Sequence, residues 1–525
     1  MSETSNTSNA VSLTSTAWES LLNAKTKGQL PEPWIVAALL VAITCASYSA
    51  HHLTQRGGRK LSGGVNLSTG WWFKERLRWL FNSYDVLASG YDHLKNKGAP
   101  YIQLTIEDGT QNVVFNHRYI KQLAALPDDH LSFDEAAKSL TAGKYTKIAN
   151  VPQGIGQDAV RGELTANLPR VVGYMAAEVD DALRKVLPQT AEWELRTVAE
   201  VAMEPVAQAS ARVFVGPKLC RDEAWMRIMR NFTHMAAGSL QAVKMWPAFL
   251  HPWVAPFLPA LKTVERTWAE GRRVLREAAE AEASGETKGD YIKEWVAQRH
   301  PEWAADLDQQ VDFTFTLSMA ALHTSEMTTT HMLLDLAAHP EFVEELRAEM
   351  VDALAQTGGE MNNGYIHKLE KLDSFMCESK RLNPLTLYSF QRLAMRDFGL
   401  DDGTFVPRGT FLALDASQGY LDGEQWEHPE VFDPLRFYRL RHAEAAQNSH
   451  LFVTSNPQHM SWGQGKHACP GRFFAGHMIK VILSQFLLQY DVALEEGKPR
   501  PKNVVFGAAP LAAPGAQVRF RKRIV

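Results

Sequence analysis

One cysteine in this chain is placed to do chemistry. It lies in Trp462-Gly463-Gln464-Gly465-Lys466-His467-Ala468-Cys469-Pro470-Gly471-Arg472-Phe473-Phe474-Ala475, a glycine-rich loop that runs into an apolar helical stretch. A thiolate just ahead of a helix is stabilised by the positive end of the dipole and by backbone N–H groups without helical partners. Gly465 lets the loop turn, and Gly471 lets a flat ligand approach the backbone closely. Trp462 can wall a pocket beside the sulfur, and His467 offers a donor to whatever the sulfur binds. Spacing excludes a nucleotide-binding P-loop, because Gly465-Lys466 is followed by His467 rather than Ser or Thr. A zinc site lacks further cysteine ligands nearby. For the loop taken alone, a buried structural cysteine is the remaining alternative.

A second group of reactive side chains sits inside an apolar run, Phe313-Thr314-Phe315-Thr316-Leu317-Ser318-Met319-Ala320-Ala321-Leu322-His323-Thr324-Ser325. Its pattern predicts a helix from about Asp306 to Ala338. Ala320 and Ala321 leave room for a flat ligand. The Thr324 hydroxyl can bond its own helix four residues back or turn outward. His323 can relay a proton; a capped core histidine is the alternative. Further on, Glu378 and Arg381 share one helix face at i and i+3. As a surface pair they would contribute a few tenths of a kcal/mol.

The elements that must hold these groups come from a chain of 525 residues, 45% hydrophobic, with a net charge of −4. Nothing in that balance favours nucleic acid. Cys45, Cys220, Cys377 and Cys469 are far apart, which argues against a disulfide framework and for a reducing compartment. Residues 1–33 read as a loose tail and 34–54 as a transmembrane anchor. The uncharged stretch Trp34 to Ala50 would rise roughly 25 Å as a helix, close to the thin hydrocarbon core of the endoplasmic reticulum. Arg56, Arg59 and Lys60 follow, so the positive-inside rule puts the C-terminal side in the cytosol. A buried core helix and a cleaved signal peptide are the alternatives. Residues 55–70 read as a linker, and 71–525 as one large catalytic domain. Trp71 to Leu94 is helical, aromatic and basic in pattern, suited to a membrane surface or to packing on the domain. Tyr101 to Ile106 and Asn112 to Phe115 predict a hairpin turning at Asp108-Gly109. Turns are also predicted at Asp402-Gly403 and at Pro407-Arg408-Gly409-Thr410, and helical patterns dominate up to about residue 357.

Four stretches, Ala320 to Ser325, Glu378 to Arg381, Phe432 to Phe437 and Trp462 to Gly471, occur in the order found in cytochromes P450, and the chain resembles that family over almost its whole length. Trp462, Gly465, Cys469 and Gly471 match the haem loop, with Trp in place of the usual Phe and His467 in place of the usual Arg. Thr324 matches the threonine of the oxygen-activation helix, whose preceding acid is replaced by His323. The early Trp–Arg pair is represented only by Gln157 and Arg161. The resemblance implies a mainly α fold with small β-sheets (α+β) and haem b with Cys469 as axial ligand. Thr324, aided by His323, would organise proton delivery. Arg161, Arg392 and His467 would meet the haem propionates. Glu378, Arg381 and Arg436 would form a structural network, Arg436 bonding the carboxylate in bidentate fashion. Leu385 to Gln391 would line the substrate pocket. Electrons would come from an NADPH-cytochrome P450 reductase, with cytochrome b5 as a further candidate, docking on Lys466, Arg472, Arg439 and Arg441. The similarity is greatest to microsomal members from filamentous fungi that oxidise terpenoids, alkaloids or polyketides. A haem-thiolate isomerase or dehydratase that needs no O2 and a non-catalytic haem sensor or carrier are the competing functions.

Overall fold

The computed structural model describes residues 61, 63–68, 70–146, 155–283, 289–443 and 449–524. The tail at 1–33 and the expected anchor at 34–54 lie outside the described residues. Among the described residues no helix is long and apolar enough to cross a membrane.

Six helices frame the site: α1 (Trp72–Lys95), α2 (Thr165–Val186), α3 (Val198–Phe214), α4 (Leu307–Ala338), α5 (Glu370–Leu382) and α6 (Arg472–Gln489). α4 forms where the apolar run predicted it. The Asp306 side chain caps its start by accepting from the Gln309 N–H at 3.0 Å. It stops at His339, ahead of Pro340, a residue that disfavours helix in its predecessor. Its 32 residues are apolar or hydroxyl-bearing nearly all round, as suits a helix packed on every side. α3, rich in alanine, lies along α4; α2 covers α3, and α6 packs on both α2 and α4.

Beside this helical block lies a six-stranded sheet made of β1 (Val65–Asn66), β2 (Tyr101–Thr105), β3 (Gln111–Phe115), β4 (Leu131–Ser132), β5 (Tyr388–Ala394) and β6 (Phe411–Asp415), in the order β1-β2-β3-β6-β5-β4. The predicted hairpin is β2–β3, and Gly109 takes φ +82° at its turn, a conformation open to glycine. Asp402-Gly403 likewise turns between Phe398–Gly399 and Phe405–Val406. β1 lies within the stretch read as a linker. Val65–Asn66 pairs in parallel with β2, and the Ser68 hydroxyl accepts from the Thr105 N–H at 2.7 Å. α1 buries Trp79, Leu80, Val86 and Leu87 and leaves Phe81 on the surface, 62% exposed, as is Trp71 just ahead of the helix at 69%.

α4 also carries a carboxyl with little support. Glu326 is buried and accepts one hydrogen bond, from Thr330 Oγ1 at 3.1 Å. Burial raises its pKa to about 7. A carboxyl whose folded pKa lies above its unfolded value binds its proton more tightly when folded. Stability is then greatest below the unfolded pKa, near 4.5, and falls as pH rises through about 7. Glu326→Gln is expected to stabilise the protein at pH 8 by about 3 kcal/mol, with the gain vanishing below the unfolded pKa. Denaturant unfolding of both proteins across that range checks it, and a gain independent of pH would reject the assignment.

Candidate active site

Cys469 hangs from its own backbone. Its N–H donates to the Trp462 carbonyl at 2.7 Å and closes the loop. The N–H groups of Gly471 and Arg472, at the start of α6, favour the anion of its sulfur. Burial pushes the thiol's pKa up, while those N–H groups and the charges of Lys380 and Arg472 pull it down. Such a sulfur is kept from water but supplied with donors that favour its anion. Gly463 and Gly465 hold φ of +74° and +69°, which explains why the loop is built on glycine. Gly471 has φ −83° and needs no glycine for its conformation. A Cβ there would meet nothing nearer than Val160 Cγ1 at 4.0 Å, so glycine keeps one side of the backbone bare.

Ala320 and Thr324 are exposed, although they lie at the middle of α4 among buried and half-buried neighbours. They are four residues apart and so share one helix face. Thr324 Oγ1 donates to the Ala320 carbonyl at 3.0 Å, which leaves its lone pairs free to accept. Ser318 and Thr328 make the same backward bond within α4. His323 is half-buried beside them.

Basic groups surround the loop. Arg161 lies in the helical turn Val160–Leu164 and donates to the Lys466 carbonyl. Arg392 projects from β5 beside a bulge between Ser389 and Arg392. Phe390 within that bulge takes φ +52°, a strained conformation for a bulky side chain. The Arg392 guanidinium lies 4.2 Å from the centroid of Phe390 and 5.4 Å from that of Phe133. It is buried, and burial lowers its pKa to about 10 against the pull of Asp128 and Asp134. His467 also stacks on Phe133, with ring centroids 5.5 Å apart. Its Nε2 meets Asp128 Oδ1 at 2.6 Å, so that nitrogen is not turned to the sulfur's ligand. Its Nδ1 is buried with no hydrogen-bond partner.

These features fit haem. They supply a thiolate donor, a bare glycine backbone, an alanine–threonine face, a buried arginine and an orphaned imidazole nitrogen for carboxylates. Asp128 and Phe133 are additions to the sequence reading; at more than 300 residues from the loop, spacing could not reveal them.

Behind the loop, Glu378, Arg381 and Arg436 come together as predicted, with a different geometry. Glu378 is fully buried and Arg381 nearly so, so the pair is no surface interaction. The two-pronged bond is made by Arg381, whose Nε and Nη2 donate to the two carboxylate oxygens at 2.8 Å each. Arg436 uses only Nε, shared between both oxygens at 3.2 Å. Its other nitrogens donate to the carbonyls of Glu427, His428 and Val431. Arg441 does not belong among the docking residues, because it is buried beside Glu370 and Asp373. Lys466 is exposed and pairs with Asp128; the Arg439 side chain is exposed and pairs with Asp433. Arg472 is half-buried and donates to the Cys469 carbonyl.

Residues 160–520 match the family model for cytochrome P450. A relative from Postia placenta, cytochrome P450 monooxygenase 151, is 33% identical over 459 residues, covering 85% of this chain and 90% of that one. Cytochrome P450 monooxygenase BOA4 of Botryotinia fuckeliana is 32% identical over 83% of this chain and 89% of its own. Ent-kaurene oxidase P450-4 of Gibberella fujikuroi is 29% identical over 93% and 98%. The solved structure of retinoic acid bound cyanobacterial CYP120A1 has the same fold, with a TM-score of 0.65 at 18% identity, covering 88% of this chain and all of that one. From the matched span and these relatives, the chain belongs to the cytochrome P450 family and is a haem monooxygenase resembling the fungal enzymes.

Proposed function

We propose that this enzyme transfers one atom of O2 to an apolar small molecule, and that Cys469 would hold the iron of its haem through the sulfur. For a hydroxylation, substrate, O2, NADPH and a proton give alcohol, water and NADP+. What supports this reading is the presence of a half-buried Cys469 at the start of α6 and of an exposed Ala320–Thr324 face on α4, the helix against which α6 packs. Haem bound with a thiolate ligand supplies the iron at which O2 is reduced and its O–O bond cleaved. The chain supplies position and charge. The N–H groups of Gly471 and Arg472 favour the anion against the burial that opposes it. Arg161, Arg392 and His467 offer cationic or donor groups to the two carboxylates. Ala320 keeps the face of α4 low, and Thr324 Oγ1, donating to the Ala320 carbonyl, can accept a proton-bearing water and pass its proton on. His323, the preceding residue of α4, would refill that site. An isomerase that uses no O2 has no need of a proton organiser at Thr324.

Thr324→Ala is expected to retain haem while product per NADPH falls, on the order of a hundredfold, with hydrogen peroxide released instead. Peroxide and NADPH assays check it; unchanged coupling would assign the proton to His323 or a water chain.

The substrate is an apolar skeleton such as a terpenoid, alkaloid or polyketide; the ent-kaurene oxidase among the relatives supports the first. NADPH-cytochrome P450 reductase, with cytochrome b5 as a second donor, would dock on the thiolate side at Lys466, Arg439 and Arg472. Microsomes holding this chain and the reductase, screened for products one oxygen heavier, test the reading. A product formed without reductase would favour the isomerase.

The same proposal places the enzyme on the cytosolic face of the endoplasmic reticulum, anchored by residues 34–54. An exposed apolar surface supports it. Trp71, Phe73, Leu77 and Phe81 stand out from the start of α1, and Arg76 of that helix donates to the carbonyl of Met245, itself exposed beside Trp246. Aromatic side chains of this kind suit a bilayer interface. Asn231 is exposed and begins the acceptor sequence Asn231-Phe232-Thr233; it is expected to stay unglycosylated, as is Asn66, while Asn6 faces the lumen. A glycosidase-sensitive shift removed by Asn231→Gln would reverse the topology.

A further inference from the structure

Lys380 is an unusual occupant of its position. It lies on α5 between Ser379 and Arg381 and is 5% exposed. Its Nζ has no hydrogen-bond partner, and no ion pair to it is found among the described residues. Burying an amine in this way is costly, and methionine would fill a similar volume without that cost. What faces the amine is aromatic. Nζ stands 3.0 Å above the centroid of the Trp462 indole and 4.9 Å from that of Phe452. A positive group over an indole face is attracted by the ring quadrupole. Burial pushes the Lys380 ammonium's pKa well below the lysine range, and the Cys469 sulfur acts in the opposite sense.

Trp462 joins the amine to the loop. The Trp462 carbonyl accepts the Cys469 N–H at 2.7 Å. Its indole N–H donates to the Phe452 carbonyl at 2.5 Å, with the two rings edge to face. The ring is thus pinned at its edge by Phe452 and at its face by Lys380, and its backbone holds the cysteine. Charged or neutral, the amine carries N–H hydrogens of partial positive charge, and the Trp462 face is what it sits on.

We propose that Lys380 is a positioning residue for the haem-thiolate centre: seated on the Trp462 face, its amine places positive potential behind the Cys469 sulfur and tempers how strongly that sulfur donates to the iron. The inference rests on Cys469 being the axial ligand. Positive potential favours the more negatively charged, reduced centre, so its removal favours the ferric form. Electrostatics around the ligating sulfur are among the levers by which proteins set such a potential.

The test is redox titration of the holoenzyme. Lys380→Met keeps chain length and loses the N–H groups. It is expected to retain the thiolate-specific band of the reduced CO complex and to shift the one-electron equilibrium about tenfold toward the ferric form, a fall in midpoint of about 59 mV. Lys380→Gln keeps N–H donors and is expected to shift it less. A merely structural lysine would lower haem retention or Tm in both variants and leave the midpoint in place; that result overturns the proposal. If Lys380→Met binds no haem, Lys380→Gln and Trp462→Phe carry the same titration, and an unchanged midpoint in both overturns it. A wild-type protein lacking the thiolate band would instead overturn the assignment of Cys469 itself, and this proposal with it.

Discussion

Cys469→Ala abolishes the thiolate-specific absorption of the reduced, CO-bound protein. Three other cysteines exist, and the prediction is sharp because two of them are chemically unsuited to the role. Cys220 is buried, its Sγ lies against the Pro217 carbonyl, and burial pushes its pKa to about 12. Cys377 faces the His450 carbonyl from α5, and burial pushes its thiol well above the usual range. Neither has the pair of backbone N–H donors that meets Cys469. Cys45 falls outside the described residues, in the expected anchor. Cys377→Ala and Cys220→Ala are therefore expected to keep the band at full intensity. Substitution at Cys469 costs little fold, since its N–H bond to Trp462 is made by the backbone and survives in alanine. The variant's helical circular dichroism is expected to match wild type. Persistence of the band in Cys469→Ala would remove the ligand assignment.

The contrast between these cysteines shows what the sequence could and could not reveal. The glycines around Cys469 and the apolar run after it are local signals, and the loop and α6 follow from them. α4 was legible for the same reason, a long apolar run with small and hydroxyl residues at its centre. The hairpin β2–β3 came from alternation and an Asp-Gly turn. What spacing does not carry is the identity of distant partners. His467 meets Asp128 across 339 positions, and nothing in either segment marks the other. β1 is two residues long, too short to show a period, and its strand character comes entirely from pairing with β2. Arg441 looked like a surface charge because arginines usually are; its burial beside Asp373 depends on how α5 and the following segment pack. Lys380 held a signal that could have been read, a lysine on a helix whose neighbours Glu378 and Arg381 are both committed inward.

Glu378→Gln is expected to cost at least about 3 kcal/mol of stability, and Glu378→Ala to prevent accumulation of folded, haem-loaded protein. Glu378 is fully buried. Its carboxylate accepts from Arg381 Nε and Nη2, from the Asp433 N–H at 2.9 Å and from Arg436 Nε. One negative charge thus faces two guanidiniums, and without it two buried cations are left with no counter-charge. Removing one partner of a buried ion pair typically costs about 3–5 kcal/mol, a large part of the roughly 5–15 kcal/mol by which a folded protein is stable. Buried ionic groups can in some proteins be replaced together by apolar residues at no loss. That remedy is expected to fail here. Arg381 Nη1 also donates to the carbonyls of Tyr420 and Pro429 at 2.6 Å each, and Arg436 serves Glu427, His428 and Val431. Replacing all three ionic residues by leucine or methionine would orphan these carbonyls, each at about 1–3 kcal/mol. The network is therefore a tie between α5 and residues 420–436, which together back the loop that holds Cys469. Denaturant unfolding of Glu378→Gln and of the triple substitution measures both claims. A Gln variant within 1 kcal/mol of wild type, or a triple variant as stable as wild type, would show that the tie is dispensable.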